Sequence, residues 1–98
     1  DLRKKSKTFG KKFEFILDSK KNHSIYIPIG FAHGFKALEN KSIMIYACSE
    51  KRFSKFEKGI KWNDKELKIN WPRKNNCIIS SKDKKNISFE DFKKINPF

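Results

Sequence analysis

The chain has 98 residues, a length that predicts one small domain with one modest core. Its formal net charge is +13, but only three of its 24 basic residues are arginine, the side chain favoured for bidentate contacts with bases and phosphates. The lysines are spread along the whole chain rather than gathered on one element. This distribution predicts a solvated lysine-rich surface and argues against a nucleic-acid interface.

The cysteines and the apolar segments indicate the cellular compartment in which the protein acts. Cys48 and Cys77 lack the spacing of metal ligands, and we interpret both as buried free thiols in a reducing compartment. No stretch approaches the length of a transmembrane helix, and no apolar leader with a cleavage site is present. These features predict a cytoplasmic protein that does not act at a membrane.

Most of the chain has the patterning of short strands. Extended segments are predicted over residues 12–18, 24–27, 31–38 and 42–49, with turn residues between them. Segment 42–49 is rich in β-branched residues and apolar on both faces, which favours the middle of a sheet. Strands at such intervals, with one terminal helix, predict an all-β sandwich or jelly roll.

The last part of the chain has the signals of a helix over residues 88–95. Ser88 is placed to cap it, Asp91 is at the third helical position, and lysines occupy the last turn. Phe89 and Phe92 are three residues apart and therefore share a face.

His33 is the first candidate site residue, because it lies between Gly30 and Gly34 inside an apolar segment. The two glycines allow backbone or ligand to approach closely. In a strand, Phe31, His33 and Phe35 point to one face, which indicates the wall of a pocket. A core histidine that is hydrogen-bonded to backbone is an equally good interpretation.

Two further residues have chemistry that could serve a site. If segment 42–49 neighbours the His33 segment, Tyr46 could share its pocket and donate a proton there. A core tyrosine bonded to backbone is the commoner case. Asp83, considered alone, is most simply part of a solvated turn, and neither histidine has a carboxylate or thiol at metal-site spacing.

A series of motifs in residues 1–83 resembles the C-terminal half of the dTDP-4-dehydrorhamnose 3,5-epimerase family in order and spacing. The motifs are Asp1-Leu2-Arg3-Lys4 with Thr8-Phe9-Gly10, Ile27-Pro28 with Gly30-Phe31-Ala32-His33-Gly34-Phe35, Tyr46, Gly59-Ile60 with Trp62-Asn63-Asp64, Trp71-Pro72, and Ser80 with Lys82-Asp83. The resemblance implies that residues 1–98 are the C-terminal part of a single cupin-like domain whose N-terminal half is absent. It also implies a cupin-type jelly roll that works as a homodimer without a metal or other cofactor.

The reaction implied by the resemblance inverts C3 and C5 of a 4-keto-6-deoxyhexose linked to dTDP, converting dTDP-4-dehydro-6-deoxyglucose to dTDP-4-dehydrorhamnose for deoxysugar and surface-polysaccharide synthesis. The 4-keto group acidifies the protons on both neighbouring carbons. A base removes one proton to give an enolate, and an acid returns a proton to the opposite face.

The resemblance also implies residue roles. Tyr46 would be the reprotonating acid, Asp83 would orient the catalytic histidine, and His33 and Lys82 would hold the diphosphate or line the sugar site. The family's base is a histidine in an Arg-Gly-Leu-His segment that this sequence lacks, so the 98 residues alone are expected to have little or no epimerase activity. Where family members carry aromatic residues after the tyrosine, this chain has Lys51 and Arg52, which leaves the sugar open.

Two other hypotheses belong to different classes. A non-catalytic remnant could bind a nucleotide sugar or a partner protein without exchanging protons at C3 or C5. A basic β domain could bind nucleic acid with a steep salt dependence. The dispersed lysines and the lack of an aromatic–basic stripe argue against the nucleic-acid hypothesis.

Overall fold

The computed structural model describes the chain from residue 1 to residue 98, except for the side chain of Lys74. It contains two short α-helices, α1 (Ser81–Lys84) and α2 (Phe89–Ile95), and single 3-10 turns at Ser19–Lys21, Ser54–Phe56 and Lys74–Asn76. Strand pairing in the described part of the chain is confined to one parallel bridge between Ile60 and Ile87. None of the described helices combines the length and the apolar character that crossing a bilayer requires.

The predicted all-β, cupin-type jelly roll is wrong for this structure. Segment 42–49, predicted as a central strand, lies at the surface, and its Ile43 and Ile45 side chains are 87% and 88% exposed. The physical reason is that alternation sets only a local preference for extended backbone. A sheet also needs N–H and C=O partners from a second segment, and among the described residues segment 42–49 has none.

The predicted terminal helix is confirmed as α2. The Ser88 hydroxyl accepts a hydrogen bond from the Asp91 N–H at 3.0 Å and donates one to the Asp91 carboxylate at 2.7 Å. The rings of Phe89 and Phe92 lie nearly parallel, with centroids 6.2 Å apart, and both side chains are buried. Capping and the shared apolar face therefore act together, as the spacing predicts.

The core lies where α2 meets the start and the middle of the chain. Its buried residues are Leu2, Phe89 and Phe92, with Phe9, Ile60 and Leu67 packed against them. The Asn96 side-chain amide donates to the Leu2 carbonyl at 2.7 Å in a buried position. This bond fixes the segment that follows α2 to the start of the chain.

Asp64 connects the middle of the chain to α2. One carboxylate oxygen accepts from the N–H groups of Glu66 and Leu67, and the other accepts from the Phe89 N–H at 2.8 Å. Burial acts to raise the pKa of Asp64, but the backbone donors outweigh it and hold the pKa below its usual range.

The two cysteines differ from their predicted burial. Both are free thiols, but Cys48 is exposed rather than buried, and Cys77 is only partly buried. Cys48 belongs to segment 42–49, whose side chains have no covering layer among the described residues, so its exposure has the same physical origin as that of Ile43 and Ile45.

Candidate functional site

Lys82 and Asp83 lie on α1, and the local sequence explains their placement. Ser80 precedes the helix and accepts from the Asp83 N–H at 3.0 Å, while its hydroxyl donates to one Asp83 carboxylate oxygen at 2.6 Å. The other carboxylate oxygen accepts from the Asn86 amide at 3.4 Å. The pattern of a serine followed three residues later by an aspartate is the same signal that starts α2.

Tyr46 lies in the exposed segment 42–49, with 64% of its surface accessible. The pKa of Arg52 is raised above its usual range, chiefly by hydrogen bonds and charge from Glu57 and to a smaller extent by Tyr46 and Cys48. Arg52 follows Tyr46 by six residues in the chain.

Glu57 brings the two candidate regions together. Its carboxylate accepts two hydrogen bonds from Arg52, with the Nη2 bond at 3.0 Å, and a further hydrogen bond from the Lys82 ammonium. These bonds, first those from Arg52 and then that from Lys82, lower the pKa of Glu57 to about 2. Glu57 thus joins Arg52, six residues after Tyr46, to Lys82, the residue directly before Asp83.

His33 lies elsewhere. Its side chain is exposed, and among the described residues no hydrogen bond or ion pair joins it to Tyr46, Lys82 or Asp83. Its segment is held against residues 71–73, where the Lys36 ammonium donates to two backbone carbonyls. Of the four candidate residues, Lys82 is thus linked to Arg52 through Glu57, and His33 is not part of this ion-paired group.

The His33 segment begins at a crowded backbone turn. Gly30 has φ +88°, and its carbonyl accepts from the Leu2 N–H at 2.8 Å. The Arg3 guanidinium stacks over the Phe31 ring at 4.6 Å and donates to the Asp1 carboxylate at 2.9 and 2.8 Å. Two of the motifs that are distant in sequence, near Asp1 and near Gly30, therefore meet in space.

Two residues of the linked group, Arg52 and Glu57, were missed by the sequence reasoning about the site. Arg52 was noted only as a departure from aromatic residues, and Glu57 was not singled out. The available signal was one carboxylate placed five residues after one arginine in a chain with 24 basic and 11 acidic residues, which is a weak predictor of a contact.

Two clefts among the described residues lie away from the candidate site. One, of about 210 Å³, lies over the core beside Phe9, Leu67 and Phe89, and the other, of about 300 Å³, lies along residues 63–70. Neither cleft is lined by a candidate site residue. In the described part of the chain, no three histidine, cysteine or acidic side chains form a group that could hold a metal ion.

The amino-acid sequence matches a known family model and several curated relatives. The family model described as dTDP-4-dehydrorhamnose 3,5-epimerase matches residues 1–91. A dTDP-4-dehydrorhamnose 3,5-epimerase from Methanothermobacter thermautotrophicus is 40% identical over 86 residues, covering 86% of this chain and 46% of the relative. Proteins of the same name from Pseudomonas aeruginosa and Escherichia coli (strain K12) are 37% and 32% identical over 91 residues, covering 93% of this chain and 50% and 49% of the relatives.

The matches cover most of this chain but only part of each relative. The chain spans about half the length of the curated relatives it matches. No solved structure matches the chain.

Proposed function

We propose that this chain, which belongs to the dTDP-4-dehydrorhamnose 3,5-epimerase family, supplies part of the active site of a nucleotide-sugar epimerase. The reaction inverts C3 and C5 of a dTDP-linked 4-keto-6-deoxyhexose. The observation that supports this proposal is the family match over residues 1–91, because all four candidate residues lie inside it. Curated relatives named dTDP-4-dehydrorhamnose 3,5-epimerase match most of this chain and support the proposal further.

The chemistry assigns a separate task to each residue. The 4-keto group makes the protons on C3 and C5 acidic, so removal of one leaves an enolate. Tyr46 then donates its phenolic proton to the carbon from the face opposite the base, which inverts that centre. Asp83 stabilises the protonated form of the histidine that acts as base, because a nearby carboxylate favours the positively charged imidazolium.

The cationic side chains suit the rest of the substrate. Lys82 and His33 bind the diphosphate or line the sugar site, and the basic surface of the chain favours the approach of a nucleotide sugar with two negatively charged phosphates. Binding energy from the nucleotide, which is remote from the reacting carbons, positions the sugar for proton transfer.

The histidine base is expected on sequence outside these 98 residues, because this chain has no Arg-Gly-Leu-His segment. We therefore expect the chain alone to have little or no epimerase activity. The first measurement is the DNA sequence directly upstream of the Asp1 codon. An in-frame Arg-Gly-Leu-His segment would support the epimerase, whereas a start codon or frameshift just before Asp1 would favour a remnant that binds nucleotide sugar without exchanging protons.

The proposal also covers the setting of the enzyme. We expect the complete protein to be a homodimer, as the resemblance of its motifs to the family implies. We expect it in the cytoplasm, where free thiols such as Cys48 and Cys77 persist. Sedimentation of the longest natural polypeptide that contains this chain tests the first expectation, and cell fractionation tests the second.

The role of Tyr46 can be tested with a matched control, because the chain has one other tyrosine. The longest natural polypeptide is incubated with dTDP-4-dehydro-6-deoxyglucose in D2O, and deuterium at C3 and C5 is followed by NMR. Tyr46→Phe should lower turnover by a factor of about 10² or more, the usual contribution of a general acid, with little change in dTDP affinity. Tyr26→Phe, at an 89% exposed position, should leave turnover unchanged. Wild-type rate and product in Tyr46→Phe would remove Tyr46 from the mechanism.

A further inference from the structure

Glu57 has an arrangement unlike that of the other acidic side chains near the candidate site. Its carboxylate binds the Arg52 guanidinium through both oxygens and the Lys82 ammonium through one of them. The Glu57 side chain is 26% exposed, whereas those of Arg52 and Lys82 are 64% and 60% exposed. The anion is therefore the best-shielded member of the three and the point at which both cations converge.

The two cations belong to different parts of the proposed site. Arg52 follows Tyr46, the candidate acid, by six residues in the chain. Lys82 directly precedes Asp83 on α1, and Glu57 is 25 residues away from it in sequence. A contact between Glu57 and Lys82 therefore fixes the segment that follows Tyr46 relative to the helix that carries Asp83.

Charge explains why the two cationic side chains converge on Glu57. Arg52 and Lys82 both bind the Glu57 carboxylate, and they would repel each other if this anion were absent. Among the residues that the structure describes, Glu57 is the carboxylate that forms ion pairs with Arg52 and with Lys82. One anion with two cations leaves one net positive charge, which remains available to a phosphate of the substrate.

We propose that Glu57 is a positioning residue of the epimerase: by binding Arg52 and Lys82 together, it fixes the segment that follows Tyr46 against the helix that carries Asp83. The inference rests on the proposed function, because positioning has a catalytic meaning only if Tyr46 and Asp83 take part in the reaction. Glu57 itself acts through its two cationic partners and touches neither the substrate nor the reacting carbons.

The link can be measured without any turnover. The chain has two tyrosines, so incorporation of 3-fluorotyrosine gives two ¹⁹F NMR resonances, one from Tyr46 and one from Tyr26. Glu57→Gln keeps the shape of the side chain and removes its charge, and it should shift or broaden the Tyr46 resonance only. Glu66→Gln is the matched control, because it breaks a similar exposed carboxylate–lysine pair, with Lys93, and should move neither resonance.

The catalytic part is measured on the longest natural polypeptide that contains the chain. Glu57→Gln should lower kcat about 10-fold to 100-fold, the range expected when catalytic groups are misplaced, and should change KM less. Glu57→Asp should recover part of kcat, since it restores the charge. Loss of kcat without recovery by aspartate, or a rise in KM alone, would overturn the positioning role.

The outcomes separate this inference from the proposed function. An unmoved Tyr46 resonance in Glu57→Gln, with wild-type deuterium exchange at C3 and C5 intact, would overturn the inference and leave the epimerase standing. Absence of exchange in the wild-type polypeptide would overturn the proposed function, and with it the catalytic role of Glu57, whatever the resonance does.

Discussion

Asp64→Asn offers the sharpest test of how this chain is held together. One Asp64 oxygen accepts from the N–H groups of Glu66 and Leu67, and the other accepts from the N–H of Phe89, the first residue of α2. Asparagine has a single oxygen. It can keep the turn at residues 64–67, but it places an NH2 group against the Phe89 N–H, so the variant removes the contact with α2 and little else.

The expected loss follows from the kind of bond removed. A hydrogen bond to a charged group contributes roughly 1.5–3 kcal/mol, and Asp64 is only partly buried, so we expect a loss of about 1–2 kcal/mol in the free energy of unfolding at neutral pH. The pKa of Asp64 is lowered in the folded chain. The carboxylate therefore stabilises the fold above its unfolded pKa of about 3.9, and this contribution is lost as pH falls through the lower, folded value.

The assay is urea unfolding followed by tryptophan fluorescence, at pH 7 and at points below pH 4. Trp62 and Trp71 report on the relevant region, because the Trp71 indole donates to the Trp62 carbonyl at 2.7 Å. Asp18→Asn is the control, since Asp18 uses one oxygen to accept from the Lys20 N–H and asparagine can do the same. The reasoning would be refuted if Asp64→Asn and Asp18→Asn unfolded at the same urea concentration at pH 7, or if the difference between them did not shrink as the pH fell below about 4.

Two further substitutions test the core and the crowded turn by the same unfolding assay. Phe89→Ala should cost about 3–5 kcal/mol, because the side chain is 2% exposed, whereas Phe13→Ala, at an 82% exposed site, should stay within about 0.5 kcal/mol; equal costs would place the core elsewhere. Gly30→Ala should cost about 1–2 kcal/mol or more, because φ is +88° and a Cβ would lie 2.5 Å from the Arg3 Cγ. Gly34→Ala meets nothing closer than a Trp71 ring atom at 3.8 Å, so a larger loss there than at Gly30 would contradict the assignment.

The part of the fold that sequence predicts correctly is the part with local causes. Helix α2 follows from a cap three residues before an aspartate and from two phenylalanines on one face, all within eight residues. The same cap signal at Ser80 would have predicted α1, where sequence reasoning placed only a turn. The strands failed because a ladder needs a second segment, and alternation within residues 42–49 carries no information about that partner.

The candidate site likewise has a part that the sequence predicts and a part that it does not. Motif resemblance identifies Tyr46, Asp83, His33 and Lys82 as candidates, and their roles remain predictions. The link through Glu57 was not predictable, because it depends on which of many lysines one carboxylate meets across 25 residues of chain. Exposed ion pairs leave no periodic pattern in a sequence, whereas capping boxes and apolar faces do.

The core and the candidate site are stabilised by different interactions, and the difference affects how strongly each depends on water and salt. Around the core, Phe89 and Asp64 combine burial with bonds to the backbone. The contact between the segment that follows Tyr46 and helix α1 relies instead on the exposed ion pairs of Glu57, which water and salt weaken. In the proposed epimerase, a bound nucleotide sugar would strengthen the same ion pairs by excluding water, so positioning of the site and binding of the substrate should reinforce each other.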